Sequence, residues 1–392
     1  MAATPLEIAQ ALIRCPSVTP QEGGALDLLQ GLLEAEGFTC HRLPFSDKDT
    51  PGVDNLFARI GTGAPHLCFA GHTDVVPPGD DAAWSHPPFG GQVVDGWLYG
   101  RGAADMKGNI ACFVAAICGY LDGVKGDPPG SVSFLITGDE EGPAINGTRK
   151  VLEWMAAGGH TPDHCLVGEP SSSQRIGDTV RVGRRGSLSG HVTVTGVQGH
   201  TAYPHLANNP VPGMLGVLGA FLAEPLDDGA PHFSPSDLQI AAIDTGNPAT
   251  NVIPARISAS FNIRFNSNHS ADHLKEILTR KAGTALEGSG LSHQIDFLPA
   301  SPCFIAEPGP LIDHMVGAVQ DETGQTPQMS TGGGTSDARF VKDYCPVIEF
   351  GLVNQTIHQV DERIEVGDLE ALTRIYRAFV ERYFAAFATT GT

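Results

Sequence analysis

The chain has 392 residues, and its 44 acidic side chains outnumber 24 lysines and arginines, which gives a formal net charge of −20 at pH 7. This length predicts a large core and two domains. A surface this acidic disfavours nucleic-acid binding, because contacts with phosphates need basic groups. No apolar run approaches the length of a membrane span, so we expect neither a nucleic-acid nor a membrane partner. An anionic substrate would have to be bound by a few local arginines.

The N-terminus lacks a basic segment followed by an apolar one, as an export signal would have. It instead predicts an amphipathic helix, whose apolar face carries Leu6, Ile8, Ala9, Leu12 and Ile13. The eight cysteines are scattered without a C-x2-C pair, which predicts buried thiols in a reducing compartment. Together these features predict a cytoplasmic protein.

Short apolar runs in the first and last parts of the chain are typical of buried parallel strands. They occupy residues 66–70, 131–137, 164–167 and 346–350. Helical patterns at 108–121 and 148–157 lie between or beside them. This alternation predicts the α/β fold class, with a mostly parallel central sheet that helices cover on both faces.

The middle of the chain has a different pattern. Residues 187–197 and 257–265 alternate apolar and polar side chains, as half-exposed strands do. Helical patterns follow at 209–223 and 271–286, and Ser270 is a suitable N-cap for the second. We therefore predict an inserted α+β domain at 183–293, within a discontinuous first domain formed by 1–182 and 294–392.

Polar side chains follow each predicted strand of the first domain directly or after a short loop, and one precedes a helix. The carboxyl ends of parallel strands meet at one edge of a sheet, where sites in such folds form. We therefore expect these residues to lie together: His72, Asp74, Asp105, Glu140, Glu141, Glu169 and His358.

Two histidines and three carboxylates form a ligand set suited to zinc, cobalt or manganese. Five ligands are too many for one tetrahedral zinc that keeps a water, but they suit two ions that share a carboxylate. A dense group of acids also needs cations to stay ionised. Taken alone, each residue has an ordinary alternative, such as a core histidine, a helix cap or a solvated acid. For Asp139 a turn residue is the preferred interpretation.

Four segments carry a family resemblance: GHTDVVPPG at 71–79, YGRGAADMKG at 99–108, DEEGPAINGT at 139–148 and GHTAYPH at 199–205. They resemble the di-zinc metallopeptidase family of aminoacylases, carboxypeptidases and deacylases, and the likeness extends over essentially the whole chain. The segments EEGPAINGT, RRGS at 184–187 and STGGGTSD at 330–337 favour its succinyl-removing branch. The resemblance implies a di-zinc peptidase-like catalytic domain with an inserted dimerisation or lid domain.

The resemblance also implies a role for each acidic or histidine residue of the cluster. Asp105 would bridge two Zn²⁺ ions per subunit, with Co²⁺ able to replace zinc at one site. His72 and Glu169 would complete one metal site, and Glu141 and His358 the other. Glu140 would be the general base, and Asp74 would orient His72. The peptide bond after Asp105 is expected to be cis.

In the family the inserted domain forms a homodimer, and His200 would reach the partner's active site to stabilise the oxyanion. Arg264 is a candidate substrate contact on local grounds. In 257–265 the apolar residues share one strand face, so Arg264 must lie on the other. The full set of predicted substrate contacts is Arg184 or Arg185, Ser187, Tyr203, Asn251, Arg264, Gly334, Thr335 and Asn354.

The implied reaction is hydrolysis of N-succinyl-L,L-2,6-diaminopimelate to succinate and L,L-2,6-diaminopimelate, a step in lysine and diaminopimelate synthesis. Deacetylation of N-acetylornithine, or of another N-acyl amino acid, is the closest alternative, since the metal chemistry is the same. A peptidase of short peptides is a third possibility. A non-catalytic relative would lack a metal ligand or the base, whereas all six of these positions are filled here.

Overall fold

The computed structural model describes residues 3–126 and 128–388. Contacts within the chain divide it into two compact units. Unit 1 comprises Met1–Gly183, Ala306–Ser330 and Ser336–Thr392, and unit 2 comprises Arg184–Ile305 and Thr331–Thr335. The division into two domains, one at 1–182 with 294–392 and the other at 183–293, remains a prediction.

The helices, in chain order, are α1 Pro5–Ile13, α2 Ala25–Ala35, α3 Gly108–Gly123, α4 Thr148–Ala157, α5 Pro210–Leu222, α6 Ala271–Ala285, α7 Pro310–Thr323, α8 Ala338–Val341 and α9 Val366–Ala388. The strands are β1 Thr39–Arg42, β2 Phe45–Asp47, β3 Thr50–Val53, β4 Leu56–Ile60, β5 His66–His72, β6 Gln92–Val94, β7 Trp97–Tyr99, β8 Ser131–Thr137, β9 His164–Val167, β10 Thr179–Arg181, β11 Gly183–Arg184, β12 Gly186–Thr195, β13 Gly199–His200, β14 Asp237–Asp244, β15 Val252–Ile253, β16 Arg256–Phe265, β17 Ser292–Phe297, β18 Phe304–Ile305, β19 Gln328–Ser330, β20 Val347–Glu349 and β21 Arg363–Glu365.

Unit 1 is built on a sheet with the strand order β1-β4-β8-β5-β9-β20-β10-β19 in the described part of the chain. Its central strands β8, β5, β9 and β20 run parallel, whereas β4 pairs antiparallel with both β1 and β8. The predicted α/β class with a mostly parallel central sheet is therefore confirmed. Every residue of β5 and β8 is buried, as expected for strands covered on both faces.

The helices of unit 1 follow from their local sequence. Thr4 and Glu7 form a capping box at the start of α1, in which each side chain accepts a hydrogen bond from the other's backbone N–H. The buried residues of α1 are four of the five predicted: Ile8, Ala9, Leu12 and Ile13. Helix α3 is buried almost all round, and its Phe113 stacks on Phe69 of β5 with the ring centroids 4.2 Å apart.

Unit 2 contains an antiparallel sheet with the order β14-β16-β12-β17. Along β16 the burial alternates, with Ile257, Ala259, Phe261, Ile263 and Phe265 facing its core. Helices α5 and α6 and strands β12 and β14 also contribute to that core. The α6 N-cap is Ser270, as predicted, and its side chain accepts a hydrogen bond from the His273 N–H.

The eight cysteines are all free thiols, and five are buried, whereas Cys15, Cys40 and Cys303 are partly exposed. The prediction of buried thiols thus applies to five of them. In residues 3–126 and 128–388 no helix combines the length and the apolar character needed to cross a bilayer.

Candidate metal centre

The predicted ligands of unit 1 come together at the carboxyl ends of its central strands. His72 is the last residue of β5, and its Nε2 lies 3.1 Å from Asp105 Oδ1 and 3.8 Å from Glu169 Oε1. The donor atoms of these three residues all lie within 4.8 Å of one another. They form the first of the two groups that contain Asp105 and could hold a metal ion.

Asp105 also belongs to the second group, with Glu141 and His358. Its other oxygen, Oδ2, lies 3.5 Å from His358 Nε2, and that nitrogen lies 2.8 Å from Glu141 Oε1. The two carboxylate oxygens of Asp105 therefore face different histidines. This is the arrangement that a carboxylate shared between two ions requires.

His358 has an unusual backbone for a residue with a side chain. Its φ is +60°, in the left-handed region that residues other than glycine seldom occupy. The residue lies beyond β20, in the loop that leads to β21, and its side chain remains about half exposed. The loop thus presents the one accessible imidazole of the group.

Asp74 is fully buried and acts on the backbone of the segment after β8. Its two carboxylate oxygens accept hydrogen bonds from the N–H groups of Glu140 and Glu141, at 3.3 and 3.0 Å. His72 Nδ1 lies 2.9 Å from the Asp74 carbonyl oxygen and 3.6 Å from its Oδ1. Asp74 therefore contacts both His72 and the segment after β8 that carries the two glutamates.

The electrostatics of the cluster favour positive charge. Hydrogen bonds to Asp105 and Glu141 raise the pKa of His358 to about 10. Burial opposes ionisation of Asp105, but hydrogen bonds with His358 and His72 outweigh burial and lower its pKa. Carboxylates that hold a proton this strongly on an imidazole also attract dications.

Glu140 differs from its neighbour Glu141. Burial raises the pKa of Glu140 well above the usual range of glutamate, and the nearby carboxylates Glu169 and Asp105 add to the effect. An acid whose pKa is raised in this way is suited to accept and return a proton. Glu140 also lies within reach of His72 and Glu141, so proximity alone does not separate base from ligand.

The chemistry of the donor set fits two metal ions. Two imidazoles and three carboxylates are arranged in two groups that share Asp105, as in carboxylate-bridged dinuclear sites. The Asp105–Met106 peptide bond is cis, which confirms that prediction. The roles of the individual residues remain predictions.

Sequence reasoning missed Glu362, whose side chain binds the backbone of Asp105. This fully buried carboxylate accepts hydrogen bonds from Arg101 Nη1 at 2.7 Å and from the backbone N–H groups of Gly102, Ala104 and Asp105, at 2.9 to 3.1 Å. It thereby fixes the turn on which Asp105 lies. The signal available in the sequence was a second acidic pair, Asp361-Glu362, just after His358.

Asp139 serves the loop after β8. Its Oδ2 accepts hydrogen bonds from the N–H groups of Ile145 and Asn146, both at 2.8 Å. This contact is what the interpretation of Asp139 as a turn residue expects.

Unit 2 contains the predicted arginines as a group. Burial lowers the pKa of Arg264, and the nearby Arg185 and Arg184 lower it further. Arg264 Nη1 and Arg185 Nε are buried without hydrogen-bond partners, whereas Arg184 Nη1 donates to the Gly334 carbonyl oxygen at 2.9 Å. Three guanidinium groups near one another, with unused donors, can bind an anion.

The next predicted substrate contacts are Ser187, Thr335 and Asn354. Ser187 is opposite Arg264 in the ladder between β12 and β16, and its Oγ accepts a hydrogen bond from Asn262 Nδ2. Thr335 is half-buried and follows Gly334. Asn354 belongs to unit 1, where its N–H donates to the Ser172 carbonyl oxygen.

His200 is exposed at the end of β13 in unit 2. Its Nδ1 accepts a hydrogen bond from the Ala202 N–H, and its ring lies 5.7 Å from that of the exposed Tyr203. The Asn251 carbonyl oxygen accepts a hydrogen bond from the Thr201 N–H, so Asn251 is beside the same hairpin. His200, Tyr203 and the Asn251 backbone are thus neighbours within unit 2.

Comparison with known proteins places the chain in a family. Residues 68–382 match the profile of Peptidase family M20/M25/M40. The chain is 57% identical over 385 residues to a succinyl-diaminopimelate desuccinylase of Rhodopseudomonas palustris strain BisB18, covering 97% of this chain and 98% of that protein.

Solved structures show the same fold at low identity. An M20 family metallo-carboxypeptidase from Sulfolobus solfataricus matches with a TM-score of 0.78 and 16% identity, over 98% of this chain and 100% of that one. A dinuclear metal-binding M20 peptidase from Bacillus subtilis matches with a TM-score of 0.73 and 18% identity, over 98% of each chain. The chain therefore belongs to Peptidase family M20/M25/M40 and is a metal-dependent hydrolase.

Proposed function

We propose that this protein hydrolyses N-succinyl-L,L-2,6-diaminopimelate to succinate and L,L-2,6-diaminopimelate. The observation that carries the proposal is the Asp105 carboxylate, whose two oxygens face two separate histidine-containing groups. The desuccinylase relative at 57% identity supports the choice of substrate. The pathway would be lysine and diaminopimelate synthesis.

Five side chains would hold the ions: His72 and Glu169 one, Glu141 and His358 the other, with Asp105 shared. When bound, two dications lower the pKa of water and polarise an amide carbonyl. We propose zinc, with cobalt as a substitute at one site, because nitrogen and oxygen ligands suit both.

Glu140 would carry the proton transfer. It takes a proton from the attacking water and returns it to the leaving amine, a sequence that a carboxylate with a raised pKa favours. Asp74 orients His72 and holds the Glu140 and Glu141 backbone through the hydrogen bonds described above. His200 would donate a hydrogen bond to the oxyanion of the tetrahedral intermediate.

The substrate carries three carboxylates, which favours recognition by arginine. Arg184, Arg185 and Arg264 of unit 2 are the candidates, because two of them have buried N–H groups without partners. Ser187, Tyr203, Asn251, Gly334, Thr335 and Asn354 complete the proposed contacts. In a protein with net charge −20, this local positive group would have to overcome the overall field.

We also propose a homodimer formed through unit 2, in which His200 serves the partner subunit's site, and a cytoplasmic location. The exposed hairpin that carries His200 and Tyr203 supports the first of these. Sedimentation at increasing protein concentration tests it, and a monomer at all concentrations would contradict it.

A substrate panel tests the proposed reaction. The metal-loaded protein is assayed with N-succinyl-L,L-diaminopimelate, N-acetylornithine and a set of dipeptides, and kcat/KM is compared. We expect the succinyl substrate to be preferred by roughly a hundredfold or more, since each lost charged contact costs about 1.5–3 kcal/mol. A preference for N-acetylornithine would instead support deacetylation, the alternative function with the same metal chemistry.

A further inference from the structure

A cavity lies in unit 1, at the edge of its sheet. It has a volume of about 290 Å³ and is lined by residues of β1 and β4 and by the segment after α4. In the antiparallel ladder between β4 and β8, Arg59 is opposite Ser133, near the start of β8. The candidate metal ligand Glu141 instead follows the end of that strand. The cavity is therefore separate from the metal centre.

The register of the strands places the lining side chains on one sheet face. In the antiparallel ladder His41 is opposite Phe57, and Thr39 is opposite Arg59, so all four point to the same side. His160 closes the cavity from the segment after α4.

Arg59 is a cation without a carboxylate partner. Its Nη1 lies 3.2 Å from His160 Nδ1 and its Nη2 donates to Ser131 Oγ, but its buried Nε has no hydrogen-bond partner. Among the described residues no Asp or Glu forms an ion pair with it. The nearby Asp163 attracts the Arg59 charge without forming an ion pair with it, and it accepts a hydrogen bond from the His66 N–H. Buried charged groups usually have a partner of opposite charge.

Arg59 shares this environment with Arg264 of unit 2. Burial lowers the pKa of both guanidinium groups, and each has a buried N–H without a partner. Arg264 belongs to the proposed substrate contacts, where an anion would complete its hydrogen bonds. An anion would likewise complete the hydrogen bonds of Arg59, whose Nε has no partner.

The rings that line the cavity are His41, Phe57 and His160, and Trp154 packs against them without lining it. Phe57, Trp154 and His160 are mutual neighbours, with ring centroids 5.1 to 5.5 Å apart, and His41 lies 5.3 Å from Trp154. Such rings accept a flat apolar group by stacking or edge contact. A cavity of this size admits a molecule with one ring.

We propose that this cavity binds a small ring-bearing carboxylate, whose oxygens accept hydrogen bonds from Arg59 while its ring packs against Phe57 and His160. The ligand would be distinct from the substrate of the metal centre, since the lining residues and the strand end differ.

The test uses benzoate as the probe and benzamide as its uncharged counterpart. The full chain has three tryptophans, so labelling with 5-fluorotryptophan gives three ¹⁹F resonances, and Trp154→Phe identifies the relevant one. We expect benzoate to shift the Trp154 resonance saturably with a Kd on the order of 1 mM, and benzamide to leave it unchanged.

Arg59→Gln should weaken benzoate binding about tenfold or more, because a charge-assisted contact is lost. Arg149→Gln, an exposed arginine of α4, is the matched control and should bind as the wild type does. The proposal is overturned if benzoate leaves the Trp154 resonance unmoved, if benzamide binds equally well, or if folded Arg59→Gln binds benzoate normally. Should Arg59→Gln fail to fold, the comparison of benzoate with benzamide on the wild type decides.

Discussion

Replacement of Glu362 by glutamine should weaken both the fold around Asp105 and the metal centre. In the wild type Glu362 Oε1 accepts hydrogen bonds from the Ala104 and Asp105 N–H groups, and Oε2 accepts from Arg101 and the Gly102 N–H. Glutamine keeps one oxygen, but its amide group would place donors against donors.

The expected cost follows from the buried ion pair. The Arg101 and Glu362 side chains are 3% and 0% exposed, so the variant leaves the Arg101 charge buried without its partner. Breaking such a pair costs about 3–5 kcal/mol of unfolding free energy. The backbone of Asp105 also loses its anchor, so metal affinity should fall by roughly 10–100-fold.

Urea unfolding of the metal-free protein, above neutral pH, measures the first quantity, and competition with a chelator measures the second. Glu370→Gln is the matched control, since Glu370 is exposed on α9, a few residues after Glu362. An unfolding free energy within about 1 kcal/mol of the wild type, together with unchanged metal affinity, would refute the positioning role of Glu362.

Three further predictions concern the proton acceptor, the substrate site and the pH dependence of stability. Glu140→Gln should keep both metal ions but lose turnover by about 10²-fold or more, whereas Glu141→Gln should lose metal. Metal content and activity are measured for both variants, and the same behaviour in both would contradict this prediction. Arg264→Gln should raise KM for the succinyl substrate by about tenfold or more, while the exposed control Arg280→Gln should not, and an unchanged KM would exclude the contact. Burial lowers the pKa of His66 to about 4, whereas the unfolded chain binds this proton with a pKa of about 6.5. The stability that neutral His66 contributes is therefore complete above about pH 6.5 and is lost as the pH falls towards 4. Between about pH 7 and pH 4 the wild type should lose about 3 kcal/mol more unfolding free energy than His66→Gln, and equal losses would show that His66 is not responsible.

The central strands could be predicted because a strand that is buried on both faces is a continuous run of apolar residues in the sequence. The apolar runs at 131–137 and 164–167 coincide with β8 and β9, and β5 extends two residues beyond its predicted end, through His72. In unit 2 the alternation at 257–265 gave the buried face of β16, since period-two patterning is also local.

What the sequence could not show depends on contacts between distant segments. Glu362 supports a turn about 260 residues earlier in the chain, and the acidic pair Asp361-Glu362 does not indicate which segment it contacts. The antiparallel pairing of β4 with β1 and β8 was likewise missed, because Arg59 interrupts the apolar pattern of a strand whose first three residues are buried. The resemblance indicated the substrate contacts, and the unused donors at Arg185 and Arg264 support two of them.

The most direct test of the account is a metal titration followed by succinate release. Metal-free protein receives increasing Zn²⁺ in the presence of N-succinyl-L,L-diaminopimelate, and bound metal is measured beside the rate. The two groups that share Asp105 predict no turnover without metal and a maximal rate once two ions are bound per chain. Undiminished turnover by metal-free protein, or no succinate release from folded protein that has bound two ions, would contradict it.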